Sequence, residues 1–292
     1  MSGFRPANVP GFTIVVVVAL LISACSSNRL AYRFADRGVV WWVEDYVSLT
    51  GEQKSDLRRD LRELRSWHCE SELPRYGSWL GELRAEIRAG DLSRERIHYH
   101  QSQAVDFVPP VTQRLLPAIT HLLASLSDEQ VAELTDNLRT SQRELEQEYL
   151  EDDTPEAARE RVEERAERWL GSLNEDQKRI ISQWRQGRDT QTRIWLQGRA
   201  QWQATFTDLL TQRHWPRFPD RLEDLIINHD DYRGEAYRSM VQQNTPQLVR
   251  LVHDLLRHAD DQHWQHLEEE TGKLHRDVAA LSCSSDSLSA GL

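Results

Sequence analysis

The sequence predicts an all-α protein, a multi-helix assembly with two long amphipathic helices and no sheet. Apolar side chains recur at the three- and four-residue spacing of a helix face, and no convincing run alternates apolar with polar residues. A short signal for a helix start occurs three times: a leucine, a capping residue directly after it, and a glutamine three residues after the capping residue. The ten tryptophans are too many for a disordered chain, so we expect a core of amphipathic helices with aromatic wedges.

The first 24 residues have the three zones of a secretory signal peptide. Arg5 is the one basic side chain of a polar start, and Phe12 to Ile22 form an uncharged apolar run. This run is too short to span a bilayer, which takes roughly 20 apolar residues. Ile22-Ser23-Ala24-Cys25 resembles the bacterial lipobox, which implies cleavage before Cys25 and acylation of its thiol. The alternatives are an ordinary secretory signal with a chance cysteine, or an uncleaved anchor.

Lipid on Cys25 would decide where the protein resides. Two or three acyl chains, such as palmitate, make a stable membrane anchor, because each buried methylene contributes about 0.8 kcal/mol. We therefore expect residues 25–28 to form a lipidated N-terminus and short tether in the bacterial cell envelope, facing the periplasm. Ser26 stands where enteric-type sorting reads aspartate as a signal for retention in the inner membrane, which favours the outer membrane.

The charge of the expected mature chain restricts its partners. Removal of residues 1–24 removes Arg5 and leaves 35 basic and 47 acidic side chains, a formal net charge of −12. An acidic body argues against nucleic acid, whose phosphates require a basic surface. It also argues against electrostatic attraction to anionic lipid, so that the acyl chains must provide the anchoring. No sequence feature indicates a cofactor.

Two cysteines remain after Cys25. The periplasm permits disulfides, so Cys69 and Cys283 are either bridged to each other or two unpaired thiols, one on a helix and one in a serine-rich tail. Neither cysteine belongs to a Cys-x-x-Cys pair or has the neighbouring histidines of a zinc site.

Capping and breaking residues divide residues 29–281 into the helices of one domain, followed by a tail, 282–292, that we expect to be disordered. The start signals are Leu49-Thr50-x-x-Gln53, Leu126-Ser127-x-x-Gln130 and Leu173-Asn174-x-x-Gln177. The breaks are Pro74, Gly90, Pro109-Pro110, Thr154-Pro155 and His214 to Pro219. The uneven spacing of the start signals indicates one capping solution used three times, and not a repeat protein.

Two long helices are predicted in the second half of the chain. The first covers residues 175–213, roughly 60 Å, and carries an apolar seam from Ile181 to Leu209. Gly187 and Gly198 each cost this helix about 1 kcal/mol, so we expect a kink or a close crossing there. Short helices follow near 219–229 and 231–243, and Thr245-Pro246 starts the second long helix, which extends beyond Val278.

Parts of the sequence resemble two protein families. Leu49-Thr50-x-x-Gln53 resembles the LTXXQ pattern of Spy-like periplasmic chaperones, which are small helical proteins that bind unfolded clients without ATP. A broader set of residues resembles a family of uncharacterised proteobacterial lipoproteins with a domain of unknown function. This set comprises Asp45-Tyr46, Leu49-Thr50-x-x-Gln53, Leu57, Leu61, Trp67-His68 and Glu72-Leu73-Pro74-Arg75-Tyr76. No activity accompanies this resemblance, so it implies no catalytic residue, and Cys69 replaces an expected basic or polar residue.

Aromatic, acidic and basic side chains surround Pro74 and form a candidate pocket. They are Trp67, His68, Glu72, Arg75 and Tyr76. Such groups at a helix junction can line a binding pocket. They can equally form a buried helix corner in which Arg75 pairs with a carboxylate, and we favour the corner.

A second candidate site lies on the predicted last helix. His263 and His266 are three residues apart, which places them on one helix face, with Asp260 and Glu270 nearby. They could bind a transition metal; the alternative is an exposed polar stretch. The sequence has neither a Gly-x-Ser-x-Gly elbow nor a glycine-rich phosphate loop.

The sequence therefore predicts a membrane-tethered envelope lipoprotein of unknown molecular activity. A non-catalytic role in binding or scaffolding envelope proteins is favoured, because the tether and the helices are present and no catalytic motif is. The alternatives are a Spy-like holdase chaperone and a metal-dependent enzyme that uses the C-terminal histidines.

Overall fold

A computed structural model describes residues 32–90, 92–151, 154–186 and 188–283. These residues fold almost entirely into helices and none of them forms a strand, which confirms the predicted all-α class. The predicted signal peptide, Cys25 with its tether, and residues 284–292 of the predicted tail lie outside the described residues.

Helices of 10 to 23 residues make up this part of the chain. The α-helices are α1 (Ala35–Glu44), α2 (Gly51–Trp67), α3 (Leu73–Ala89), α4 (Arg94–Asp106), α5 (Val108–Ala124), α6 (Asp128–Glu146), α7 (Pro155–Leu170), α8 (Glu175–Arg185), α9 (Asp189–Leu210), α10 (Phe218–Ile227), α11 (Glu235–Arg257) and α12 (Asp261–Leu281). Short π-helical segments at His68–Glu72 and Gln147–Glu151 and a 3-10 turn at Asp231–Arg233 complete them.

Each of the three start signals forms a capping box. At the start of α2, the Gln53 backbone N–H donates to Thr50 Oγ1 at 3.2 Å, and the Thr50 N–H donates to Gln53 Oε1 at 2.9 Å. These bonds satisfy donors that have no partner within the helix. The same reciprocal hydrogen bonds form between Ser127 and Gln130 and between Asn174 and Gln177.

The first two capping boxes also bind each other. The Gln53 and Gln130 amides exchange hydrogen bonds of 3.1 and 2.8 Å, so each side chain bridges two helix starts. Gln53 Nε2 further donates to the Ser125 carbonyl at 3.0 Å, and Gln130 Nε2 to the Ser48 carbonyl at 2.7 Å. The glutamines therefore join the N-termini of α2 and α6, whose start signals are 77 residues apart.

Residues 175–213 do not form one helix, and this prediction is wrong. The helix stops at Arg185 and a new one begins at Asp189. Between them, Arg188 is only 7 % exposed, and its guanidinium lies 3.7 Å from the centre of the Trp184 ring and donates to the Trp184 carbonyl at 2.8 Å. Arg188 also donates to Asn244 Oδ1 at 3.2 Å, so a distant helix supplies a partner that holds this break.

The last long helix differs from its prediction at its start and in its middle, whereas its end at Leu281 lies beyond Val278 as predicted. Pro246 lies inside α11, which begins at Glu235 and ends at Arg257. Asp260 then starts α12 by a fourth capping box, in which its carboxylate accepts from the backbone N–H groups of Gln262 and His263. Asp260 therefore separates two helices where the sequence predicts one.

Four hydrophobic clusters hold the helices together. The largest surrounds the joined starts of α2 and α6 and includes Val40, Leu210 and Leu222, none of which reaches solvent. Ile181 lies in the cluster of α7, α8 and α11, and Trp195 lies in the cluster of α6, α9 and α11. The fourth cluster packs α12 along α3 and brings the C-terminal helix back to the first third of the chain.

Candidate functional site

The candidate pocket residues lie on a helix that continues through Pro74. The chain runs from α2 through the π-helical turn His68–Glu72 into α3, and the Leu73 N–H donates to the His68 carbonyl five residues back. A π-turn inserts one extra residue into a helix. Pro74 has no N–H to donate to the preceding turn, and it directly follows this π-turn, whose hydrogen bonds reach one residue further back than those of an α-helix. The expected break between two helices is therefore a local widening of one continuous helix.

The structure brings the five candidate side chains into one neighbourhood. The His68 ring centre lies 5.4 Å from that of Tyr76 and 6.4 Å from that of Trp67, both in edge-to-face arrangements. Arg75 Nη1 donates to Glu72 Oε2 at 2.6 Å, as the corner interpretation expects for Arg75. Tyr76 is 1 % exposed and Glu72 is buried, whereas the Arg75 side chain is half exposed.

Further aromatic residues complete the cluster and have no local signal in the sequence. The Tyr32 hydroxyl lies 3.0 Å from His68 Nδ1. The Phe107 ring centre is 4.4 Å from that of Tyr76 and 5.6 Å from that of Trp79. Tyr32 lies 36 residues before His68, and Phe107 lies 31 residues after Tyr76 and 28 after Trp79, so no helical periodicity could connect them.

Burial sets the charge state of this aromatic cluster. It lowers the pKa of the His68 imidazole from 6.5 to about 4, and it raises the pKa of the Tyr32 hydroxyl to about 12. It also raises the pKa of Tyr76, whose buried hydroxyl has no hydrogen-bond partner among the described residues. At neutral pH the imidazole and the two tyrosine hydroxyls are therefore all neutral, which is an arrangement of a packed core.

The His68 pKa predicts how stability depends on pH. Because its folded-state pKa lies below the unfolded value, the unfolded chain binds an extra proton between pH 6.5 and about 4. The free energy of unfolding should therefore fall by up to about 2 kcal/mol between pH 7 and pH 5. Urea denaturation at both pH values measures this. His68→Gln should flatten the dependence, and the exposed control His121→Gln should not; equal slopes in all three proteins would contradict it.

A disulfide joins the aromatic cluster to the C-terminus of α12. Cys69 and Cys283 are bonded with a Cα–Cα distance of 5.1 Å and a sequence separation of 214 residues. The Cys283 N–H also donates to the Cys69 carbonyl at 3.1 Å. Ser282 and Cys283, the first residues of the predicted tail, are thus fixed against the π-helical turn, and Cys69 is buried beside Leu73.

The candidate metal ligands already have protein partners. His263 is buried, and its Nδ1 accepts from the Asp260 N–H at 3.2 Å in the fourth capping box. His266 Nε2 lies 3.3 Å from the Arg168 carbonyl, and its ring covers Gly171. Among the described residues, no group of three His, Cys, Asp or Glu side chains is placed to hold a metal ion. The spacing of the two histidines thus serves helix capping and packing.

These features define the class of the protein: an all-α body with paired capping boxes and one bridge between a π-helical turn and the last helix. The chain belongs to a family of unknown function, DUF6279, whose model matches residues 45–238. No curated protein and no solved structure matches the chain. The matched region contains Cys69 and the first three capping boxes, whereas Cys283 lies beyond it.

Proposed function

We propose that this protein is a lipoprotein of the bacterial cell envelope whose helical body binds protein partners without catalysing a reaction. Acyl chains on Cys25 hold it to a membrane, the outer membrane being favoured, and the body faces the periplasm. The observation that carries this proposal is the Cys69–Cys283 disulfide.

The disulfide supports export because of its chemistry. Disulfides persist in oxidising compartments such as the periplasm and are rare in the cytosol, where thiols are kept reduced. Cys69 is buried against Leu73 and Val278, and the bridge fixes the end of α12. The same export is what the apolar run and the lipobox-like Ile22-Ser23-Ala24-Cys25 would direct.

A binding role has more support than a catalytic one. The residues of the two candidate sites are used to build the fold: His68 and Tyr76 pack in an aromatic cluster, and His263 caps α12. A perturbed pKa can mark a catalytic group, but structural burial produces the same shift. The lowered pKa of His68 has burial as its cause, without a charged partner.

The holdase alternative has less support. It draws on Leu49-Thr50-x-x-Gln53, in which Thr50 and Gln53 are engaged in a capping box and in the contact with α6. A holdase would also need an exposed apolar lining. The large apolar side chains exposed in the described part of the chain are Phe34, Trp41, Trp42, Val105, Leu150, Trp215 and Leu248.

Metabolic labelling tests the anchor. Radiolabelled palmitate should enter the wild-type protein and the control Cys283→Ser, which keeps Cys25. Cys25→Ala should take up no label and should be lost from the washed membrane fraction, because one apolar run without acyl chains gives no stable anchor. An unlabelled wild type, or a Cys25→Ala form bound as firmly as the wild type, would overturn the proposal.

Cross-linking tests the binding role. Cells that express the wild type or Cys25→Ala are treated with a cross-linker, and the captured proteins are identified by mass spectrometry. A defined envelope protein captured by the anchored form supports the proposal, and an empty capture counts against it. Suppression of client aggregation at near-stoichiometric ratios would favour the holdase instead.

A further inference from the structure

Helix α1 has apolar side chains on two opposite faces. Its inner face contributes Val40, which is fully buried, and Val43 to the largest hydrophobic cluster. Its outer face presents three large rings to solvent. These are Phe34, Trp41 and Trp42, which are 48, 66 and 45 % exposed, and we call them the aromatic face.

Helical geometry explains how one short segment carries both faces. Positions 34, 38, 41 and 42 fall on one side at 100° per residue, and positions 40 and 43 fall on the other. Gly38, between the rings, would meet no atom within 4 Å if it carried a side chain. The aromatic face is thus continuous and open to solvent.

The rest of the molecule holds α1 in place. Glu44 pairs with Lys54 of α2, and Arg65 of α2 donates to the Arg33 carbonyl just before α1. At the other end, Asn137 Nδ2 donates to the Tyr46 carbonyl at 2.9 Å. With both ends attached, α1 cannot turn its rings inward without breaking these contacts. A fixed cluster of exposed rings marks an interaction surface.

Position in the chain identifies the occupant of this surface. Phe34 is the ninth residue after Cys25, and a chain of this length spans at most about 30 Å at full extension. An anchor on Cys25 therefore keeps the aromatic face close to a bilayer. Tryptophan is enriched at membrane–water interfaces, because its ring is amphipathic.

Basic side chains lie at the N-terminal end of the aromatic face, and one acidic side chain, the exposed Asp45, lies at its other end. Arg33 and Arg37 are exposed, and the Arg37 guanidinium lies 5.4 Å from the centre of the Phe34 ring. Basic and aromatic groups together suit the boundary between phosphate headgroups and acyl chains. The full chain carries a net charge of −11, so an anionic bilayer should repel most of the remaining surface.

We propose that the aromatic face inserts at the boundary between the headgroups and the acyl chains of the phospholipid bilayer that holds the anchor. The anchor and α1 then form two attachments, and α1 determines how the body is oriented on the membrane. This inference rests on the proposed function, because it takes Cys25 to be lipidated.

Quenching of tryptophan fluorescence by bromine tests the insertion. The lipidated full chain is reconstituted in vesicles of phosphatidylethanolamine and phosphatidylglycerol with brominated acyl chains, which quench only tryptophans in contact with them. The tryptophan fluorescence of the wild type should be quenched, and the quenched fraction should be several-fold smaller in the double variant Trp41→Ser/Trp42→Ser. The matched control Trp215→Ser removes a tryptophan that is 59 % exposed elsewhere and should be quenched like the wild type.

Three further measurements separate the outcomes. Palmitate labelling of each variant reports the anchor: equal quenching in labelled wild type and labelled double variant overturns the aromatic-face inference alone, whereas missing label overturns the proposed function. Circular dichroism checks that the double variant is folded, as expected for exposed positions. If sedimentation in detergent shows that the double variant loses a dimer present in the wild type, the face joins protein copies and the lipid inference is wrong.

Discussion

Loss of the Cys69–Cys283 disulfide is expected to lower the free energy of unfolding by about 3–5 kcal/mol. The bridge closes a sequence separation of 214 residues, and a cross-link over a long loop removes much conformational freedom from the unfolded chain. It also holds the end of α12 against the buried π-helical turn. Urea denaturation of the wild type with and without reductant, followed by circular dichroism, measures the effect.

The variant Cys283→Ser provides the matched comparison. In reductant it should unfold at the same urea concentration as the reduced wild type, and without reductant it should stay at that lower midpoint. Equal midpoints for the oxidised and reduced wild type would show that the bridge contributes nothing to stability.

Replacement of Gln177 by leucine is expected to destabilise the protein by about 2–4 kcal/mol. The Gln177 side chain is completely buried. Its Oε1 accepts from the Asn174 N–H at 3.0 Å, and its Nε2 donates to the Leu255 carbonyl at 3.2 Å. Leucine has a similar volume but leaves the Asn174 N–H without this partner, where an unmade hydrogen bond is costly. It also removes one of the two bonds to the Leu255 carbonyl, which keeps only the His258 N–H at 3.2 Å.

The control for this substitution lies on the same helix. Gln183 is exposed, so Gln183→Leu changes the same residue type on α8 without removing a buried hydrogen bond. It should shift the thermal midpoint little, whereas Gln177→Leu should lower it clearly. A Gln177→Leu protein as stable as the control would show that this capping box is dispensable.

Features that depend on a few neighbouring residues could be predicted from the sequence. The three capping boxes follow from Thr50, Ser127 and Asn174, each with glutamine three residues on, because the reciprocal bonds form within one helical turn. Gly90 likewise ends α3 in the left-handed region at φ 66°, which favours glycine. These local rules were enough to establish the all-α class.

Features that depend on distant partners could not be predicted. The cost of a glycine at position 187 predicted a kink but not the full break after Arg185, which is stabilised by Arg188 and its contact with Asn244 56 residues away. The candidate site shows the same division: His68 and Tyr76 were found from local pattern, but the cluster also needs Tyr32 and Phe107 from other segments. The outward-facing rings of α1 could not be recognised from the sequence either. Apolar residues occur on both faces of this helix, and the sequence alone does not show which face packs against the core.

The disulfide also changes the connectivity of the chain. Residues 69 to 283 form a covalently closed ring, and the residues before Cys69 are attached to this ring at one point. A protease that makes one cut inside the ring releases no fragment, because the two pieces stay linked through sulfur. Such a nicked molecule would keep its full mass until a reductant opened the ring.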